Sequence, residues 1–295
     1  MGEFEWILDF AALQAYLDPR FLQVSPGLAL VVGCGRSALS KELKTRGFFS
    51  EVVSVDSDAG VIEAMRSAEP SLNWICADCC SEEAMAAALR TASPALAAGG
   101  AFDAVIDKGT LDAVLCEDGK AAGLLAECYR ALKPGGAYVC VSLRHRGLLD
   151  RLLGPGGPCD WAYETRTAPG PRGETYTVAL LRRPPGGGEP PCPRALRAHC
   201  EEALDAFFAE APLLTAERES ALRAAFAAHL SRPDRPVAVA SLPLEEAYTL
   251  LFTAAERSEY ALRDFCEDAA ASAHARADPA RMSLEEALAF LRDNQ

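Results

Sequence analysis

Leu28-Ala29-Leu30-Val31-Val32-Gly33-Cys34-Gly35-Arg36-Ser37-Ala38-Leu39-Ser40 joins an apolar run of strand length to two glycines, then to a polar segment that opens an amphipathic pattern at Leu39 and Leu43. The run predicts a buried parallel strand, the glycines a tight turn, and the segment beyond them a helix. Glycine lets a backbone turn sharply and come close to a ligand, and the start of a helix offers free N–H groups. From Gly33 to Ala38 the spacing satisfies G-x-G-x-x-A. Asp56 follows at the distance expected of an acid that accepts hydrogen bonds from ribose hydroxyls.

The same unit repeats outward from this turn. Val52-Val53-Ser54-Val55-Asp56, Trp74-Ile75-Cys76-Ala77-Asp78 and Phe102-Asp103-Ala104-Val105-Ile106-Asp107 are short apolar runs, each ending in an acid. Amphipathic stretches separate them: one ending near Arg46-Gly47, one carrying Val61, Ile62 and Met65, and an alanine-rich one over 81–97. A helix over 119–132 is expected to stop at Lys133-Pro134-Gly135-Gly136, and Ala137 to Leu143 to form the fifth strand. Such alternation predicts an α/β fold, a Rossmann-like doubly wound parallel sheet with helices on both faces. Trp161–Arg166 and Thr175–Leu181, parted by Pro169-Gly170-Pro171, predict a closing hairpin. Ahead of the sheet, the spacing of Trp6, Ile7, Phe10, Leu13, Tyr16 and Leu17 predicts a helix over 4–22, stopped or kinked at Asp18-Pro19.

The run from Pro184 to Pro193 is too rich in proline and glycine for helix or strand, so a domain boundary is expected there. This divides the chain into residues 1–183, a linker over 184–194, and a C-terminal all-helical extension over 195–295. In the extension Leu196, Cys200, Leu204, Phe207 and Phe208 form one stripe, and Leu222, Phe226 and Leu230 another. Tyr248, Leu251, Phe252 and Ala255 form a third. Ser283-Leu284-Glu285-Glu286 is a capping box that opens the last helix. These stripes predict a core, and no catalytic constellation stands among them.

Composition narrows the function classes. With 50% hydrophobic and 24% charged residues in 295, a soluble globular protein with a full core is expected. No apolar run reaches membrane-spanning length, and the N-terminus lacks the basic-then-apolar layout of a signal peptide, so a cytoplasmic location is expected. The formal net charge of −13 and the lack of a basic stripe argue against nucleic acid as a partner. The 11 cysteines fall within apolar runs without a disulfide framework. Cys76-Ala77-Asp78-Cys79 is formally C-x-x-C, but no second pair or spaced histidine accompanies it, so no metal is assigned.

Taken alone, the glycine motif and Asp56 suit a nicotinamide enzyme as well as any other nucleoside binder. By the same reasoning Asp78, at the third strand tip, is placed to accept from an adenine amine, although aspartate also favours strand ends as a turn residue. The segment after the fourth strand separates the readings. Asp107-Lys108-Gly109-Thr110-Leu111-Asp112-Ala113 stands with Phe4-Glu5-Trp6, Val32-Gly33-Cys34-Gly35 and the Lys-Pro-Gly-Gly before the fifth strand. Together they resemble the class I, seven-strand S-adenosylmethionine-dependent methyltransferases, in particular the protein-lysine branch that modifies translation elongation factor 1A. Citrate synthase lysine methyltransferase is a looser relative. The resemblance covers roughly residues 4–183.

The resemblance implies a seven-stranded sheet, S-adenosylmethionine as cofactor and a basic protein as substrate. It implies that Gly33, Cys34 and Gly35 approach the methionine part of the cofactor, with Ser37 beside them. Asp56 would hold the ribose, Asp78 and Cys79 would flank the adenine, and Ser57 is counted among the cofactor-binding residues. Asp107 would stand beside the methyl donor at the switch point, and Trp6 would cover the cofactor. Asp107 and Asp112 are the catalytic candidates, as carboxylates to hold and orient an incoming lysine ammonium. Plainer accounts stand beside some of these roles: Trp6 as a core residue, Lys108 as an exposed first-turn cation, and Asp112 as an acid favoured by a helix dipole. Arg36 departs from the family's asparagine, and the helical extension is untypical of its small members. The alternatives are a small-molecule methyltransferase, a nicotinamide oxidoreductase, and a non-catalytic scaffold that binds partners through its tail.

Overall fold

The computed structural model describes residues 5, 7–92, 101–115, 117, 119–144, 146–170, 175–186, 188, 191–210, 216–231, 241–252 and 281–293. They fall into two compact units, divided between Phe207 and Phe208.

The first unit is a seven-stranded sheet in the order β3-β2-β1-β4-β5-β7-β6. Its strands are β1 (Leu28–Val32), β2 (Glu51–Asp56), β3 (Asn73–Cys76), β4 (Phe102–Lys108), β5 (Leu132–Ser142), β6 (Ala162–Pro169) and β7 (Thr175–Arg182). The first five run parallel, and the β6–β7 hairpin closes the edge antiparallel to β5. Neighbouring residues of one strand serve opposite faces. Leu30 and Val32 of β1 enter one core, while Ala29 and Val31 enter the other. This two-sided burial is why the strands appear in sequence as continuous apolar runs rather than alternating ones.

Helices cover both faces. Leu39 and Leu43 of α3 (Leu39–Thr45) and Ile62 of α4 (Ala59–Ala68) pack on one side. On the other lie α5 (Glu82–Ala92), α6 (Thr110–Val114), α7 (Lys120–Ala131) and α8 (Arg146–Leu153). The expected N-terminal helix is two shorter ones, α1 (Phe10–Leu17) and α2 (Pro19–Leu22). Asp9 accepts from the Ala12 N–H at 2.9 Å and Asp18 from the Arg20 N–H at 2.8 Å, so each starts on its own aspartate cap. Strand β5 begins at Leu132, earlier than expected. Leu132 pairs with Phe102, and the register then shifts before Ala137 meets Ala104, so Pro134 and the two glycines form a bulge inside the strand.

The expected boundary at 184–194 also differs from the observed division. Helix α9 (Pro193–Glu210) sends Leu196, Cys200 and Ala203 into the core of the sheet unit. The second unit contains α10 (Ala216–Leu230), β8 (Ser241–Pro243), α11 (Leu244–Leu251), β9 (Arg281–Ser283) and α12 (Leu284–Asp293). Among the described residues the extension is therefore helical apart from an antiparallel β8–β9 pair. Strands three residues long carry too little pattern to be found by periodicity. The capping box does form: the Ser283 N–H donates to Glu286 Oε2 at 2.6 Å and the Glu286 N–H to Ser283 Oγ at 3.3 Å. Ala255 and residues 93–97 of the alanine-rich stretch lie outside the described residues.

Candidate functional site

Strand β1 pairs with β2 on one side and β4 on the other, so Val32 lies opposite both Val55 and Asp107. The chain order reverses here, and open α/β sheets bind ligands at such a switch point, beyond the C-terminal strand ends. A cavity of about 250 Å3 opens there, bounded by Asp56, Asp78, Cys79, Lys108, Thr110 and Ala113. A second, of about 220 Å3, is lined by the turn from Gly33 to Ser37 and by Lys108.

The glycine turn is built as its sequence demands. Gly33 has φ +57° and Gly35 φ +53°, the left-handed region where a side chain is strained. A Cβ at position 33 would also run into the Thr110 side chain, whereas one at 35 would meet open space. The Gly35 N–H donates to Asp56 Oδ2 at 2.8 Å and the Asp58 N–H to Asp56 Oδ1 at 2.9 Å. Asp56 thus ties the turn to the tip of β2. A carboxylate offers about four lone-pair positions, so two remain for hydroxyl donors. Ser57 lies on the same cavity wall. Cys34 is buried under the turn, its N–H on the Val55 carbonyl at 3.0 Å and its thiol pushed up by burial.

Asp78 lines the same cavity as Gly33. The Cys80 N–H reaches its Oδ1 at 2.9 Å and Lys120 Nζ its Oδ2 at 3.3 Å, holding the carboxyl below its ordinary range. Cys79 lines the cavity beside it, and a hydrogen bond with the Cys80 side chain, with burial, pushes its thiol up. The ligand atoms of Asp78, Cys79 and Cys80 lie within 4.8 Å of one another. All the described cysteines are free thiols.

Both catalytic candidates are buried, and Asp107 stands at the switch point opposite Val32. Asp107 is 0% exposed and absent from the lining of either cavity. Its carboxylate accepts from the Thr110 N–H at 2.7 Å, the Leu111 N–H at 3.1 Å and the Tyr138 hydroxyl at 2.8 Å. Burial pushes its pKa up to about 7, against the lowering effect of those donors. Asp112 is 5% exposed and fastens α6 to the end of β5, accepting from Ser142 Oγ at 2.7 Å and the Leu143 N–H at 3.2 Å. Both carboxylates therefore shape the cavity wall from behind. Desolvation wins at each, since the shift of Asp112 is also upward.

Ser37 is drawn to a residue to which no role had been assigned. Its hydroxyl donates to Glu5 at 2.9 Å, the Ala38 N–H donates to Glu5 Oε1 at 3.0 Å, and Lys108 Nζ reaches Glu5 Oε2 at 2.7 Å. Lys108 is not an exposed cation: its side chain is 7% exposed and that of Glu5 22%. One carboxylate thus bridges the start of α3 and the end of β4. A pair separated by 103 residues leaves no local trace in sequence. Thr110, Lys120 and Tyr138 were missed as well. Only Thr110 had a signal, the Asp-x-x-Thr spacing of a side chain that caps a short helix. Trp6 lies outside the described residues.

Comparison with known proteins agrees with this geometry. Residues 30–140 match the family described as a methyltransferase domain. EEF1A lysine methyltransferase 4 of Mus musculus is 36% identical over 155 residues, which cover 48% of this chain and 54% of that protein. The eEF1A lysine and N-terminal methyltransferase of Bos taurus is 32% identical over 164 residues, 51% of this chain and 21% of that one. The mitochondrial citrate synthase-lysine N-methyltransferase of Pongo abelii is 33% identical over 147 residues, 46% of this chain and 60% of that protein. The chain spans about half the length of the first of these relatives and about a fifth of the second.

Proposed function

We infer that this chain is an S-adenosylmethionine-dependent protein-lysine N-methyltransferase, acting on elongation factor 1A or another basic protein. The observation that carries the reading is the cavity at the switch point, lined by Asp56 and Asp78 at or just beyond the ends of β2 and β3 and by Lys108, Gly109, Thr110 and Ala113 at and beyond the end of β4. The matched methyltransferase domain and the lysine methyltransferases similar to this chain support it.

The residues present fit an adenosyl group. Asp56 has acceptor capacity left for ribose hydroxyls, Asp78 is an acceptor at the adenine end, and Ala113 and Val114 give the cavity an apolar side. When bound, S-adenosylmethionine supplies an electrophilic methyl group on a sulfonium. In-line transfer asks little covalent help of the protein, so the chain's own contribution is positioning. Gly33 and Gly35 keep the turn open to backbone approach, and Asp107 holds the first N–H groups of α6 so that Thr110 packs over Gly33. Asp107 and Asp112 act in this reading as positioning residues. A substrate lysine must lose a proton to become a nucleophile, which costs roughly 4–5 kcal/mol from a pKa near 10.4 to pH 7. Partial desolvation against the cavity wall lowers that cost.

Among the described residues no helix is long and apolar enough to cross a membrane. An elongation-factor substrate places the reaction in the cytoplasm.

Transfer of labelled methyl groups from S-adenosylmethionine to a protein extract tests the reading. Wild-type protein should label a basic protein on lysine, located by mass spectrometry, and Gly33→Arg and Asp56→Ala should not. Label confined to small molecules would instead make the chain a small-molecule methyltransferase. Absence of label together with absence of cofactor binding in calorimetry would leave a scaffold and overturn the reading.

A further inference from the structure

The second unit repeats itself. Ser241-Leu242-Pro243-Leu244-Glu245-Glu246-Ala247 aligns without a gap on Arg281-Met282-Ser283-Leu284-Glu285-Glu286-Ala287. Each copy is a three-residue strand running directly into a helix with two glutamates in its first turn. The strands pair antiparallel with Leu242 opposite Met282, so the same place in each copy meets at the centre. Both side chains are buried with Phe226 of α10 and Leu288 of α12 in one core.

We propose that this unit carries two copies of the strand–helix half of an EF-hand, held together by packing and caps instead of calcium. In an EF-hand a 12-residue loop supplies oxygen ligands from positions 1, 3, 5, 7 and 9 and a bidentate glutamate at 12, with glycine at 6. With Glu246 and Glu286 at position 12, the strands fall on positions 7 to 9, and Leu242 and Met282 are both position 8. Counting back along the sequence, positions 1, 3 and 5 are Arg235, Val237 and Val239 in the first copy. In the second they are Ala275, Ala277 and Pro279. None carries a side-chain oxygen, and position 6 is alanine in both. A hard cation that needs six to eight oxygens is left with the position-7 carbonyl and the position-12 glutamate in each copy, and Ser283 at position 9 in the second.

Protein groups take over the roles a cation would have. Glu286 Oε2 accepts the Ser283 N–H at 2.6 Å, which turns the position-12 carboxylate into half of a capping box. Arg281 reaches across the strands to Ser241 Oγ at 3.1 Å and also to the Ser241 carbonyl. The inference stands on the duplication and the register, independently of the methyltransferase reading.

Calcium titration of the full-length chain by calorimetry, with thermal melting in calcium and in chelator, tests it. Wild-type protein should give no saturable heat and no melting shift. The fourfold variant Ala275→Asp, Ala277→Asp, Pro279→Asp, Ala280→Gly should gain one saturable site and melt higher in calcium, and adding Glu286→Gln should remove that gain. Saturable calcium binding by wild-type protein, lost in Glu286→Gln, would overturn calcium independence. A fourfold variant that keeps its helical circular dichroism yet takes no calcium would overturn the EF-hand plan. If that variant loses its helical signal, the wild-type titration still decides calcium independence.

Discussion

Lys108 follows the buried tip of β4 and ends on Glu5, so a residue ahead of the first helix sets the shape of the wall beside the glycine turn. Removing one partner of an enclosed ion pair strands the other, at about 3–5 kcal/mol when both are fully buried. The partial exposure of Glu5 reduces that figure. Glu5→Gln and Lys108→Met should each weaken binding of S-adenosylhomocysteine about tenfold. The double variant should be little worse than either single one, and calorimetry on the four proteins measures the coupling. Asp107 makes a second prediction, through pH. Its folded pKa of about 7 stands above the ordinary 3.8, so burial penalises its ionised form. The stability this group contributes is complete below about pH 4 and is lost as pH rises through 7. That amounts to about 4 kcal/mol. Urea unfolding should show wild-type protein losing stability between pH 5 and pH 8 relative to Asp107→Asn, whose profile should be flatter.

Helix α7 is fitted against the turn beyond β3 through a missing side chain. A Cβ at Gly123 would strike the Cys80 carbonyl, so this glycine lets the helix lie against the turn that carries Asp78 and Cys79. Gly123→Ala should destabilise the first unit by about 1–3 kcal/mol, seen in urea unfolding, and weaken nucleoside binding because the turn must move. The central strands were legible element by element, since burial on both faces makes each a continuous apolar run. Helix α6 was not, because five residues after a left-handed Gly109 carry no period. Helix α8 also went unread, although Leu148, Leu149, Leu152 and Leu153, all buried, carry helical spacing. The bulge at the start of β5 was hidden by proline and glycine, which signal a stop as readily as a kink.

The whole chain carries a net charge of −13, and a basic protein partner would be drawn to it over distances that salt screens within about 10 Å at 0.1 M. Methyl transfer to a basic protein should therefore show a KM that rises several-fold as ionic strength increases. Binding of S-adenosylhomocysteine should change little over the same range, because its contacts lie inside the cavity. Steady-state kinetics and calorimetry in matched salt series check the two halves of this prediction.

Sequence by itself determined the succession of the strands in the first unit, the glycine turn, and the acids Asp56 and Asp78 at or just beyond the ends of β2 and β3. These are local consequences of periodicity, backbone freedom and strand-end chemistry, and each is complete within a few residues. Tertiary structure decided which carboxylates face the cavity and which turn away from it. Asp107 and Asp112 carry the same chemistry in sequence as Asp56, yet the Tyr138 hydroxyl and Ser142, both on β5, hold them inside while Asp56 lines the cavity. The Glu5–Lys108 bridge, the place of α9 in the first core and the meeting of Leu242 with Met282 likewise required the fold. Each joins residues whose separation along the chain leaves no periodic trace, and only packing brings them within a few ångströms.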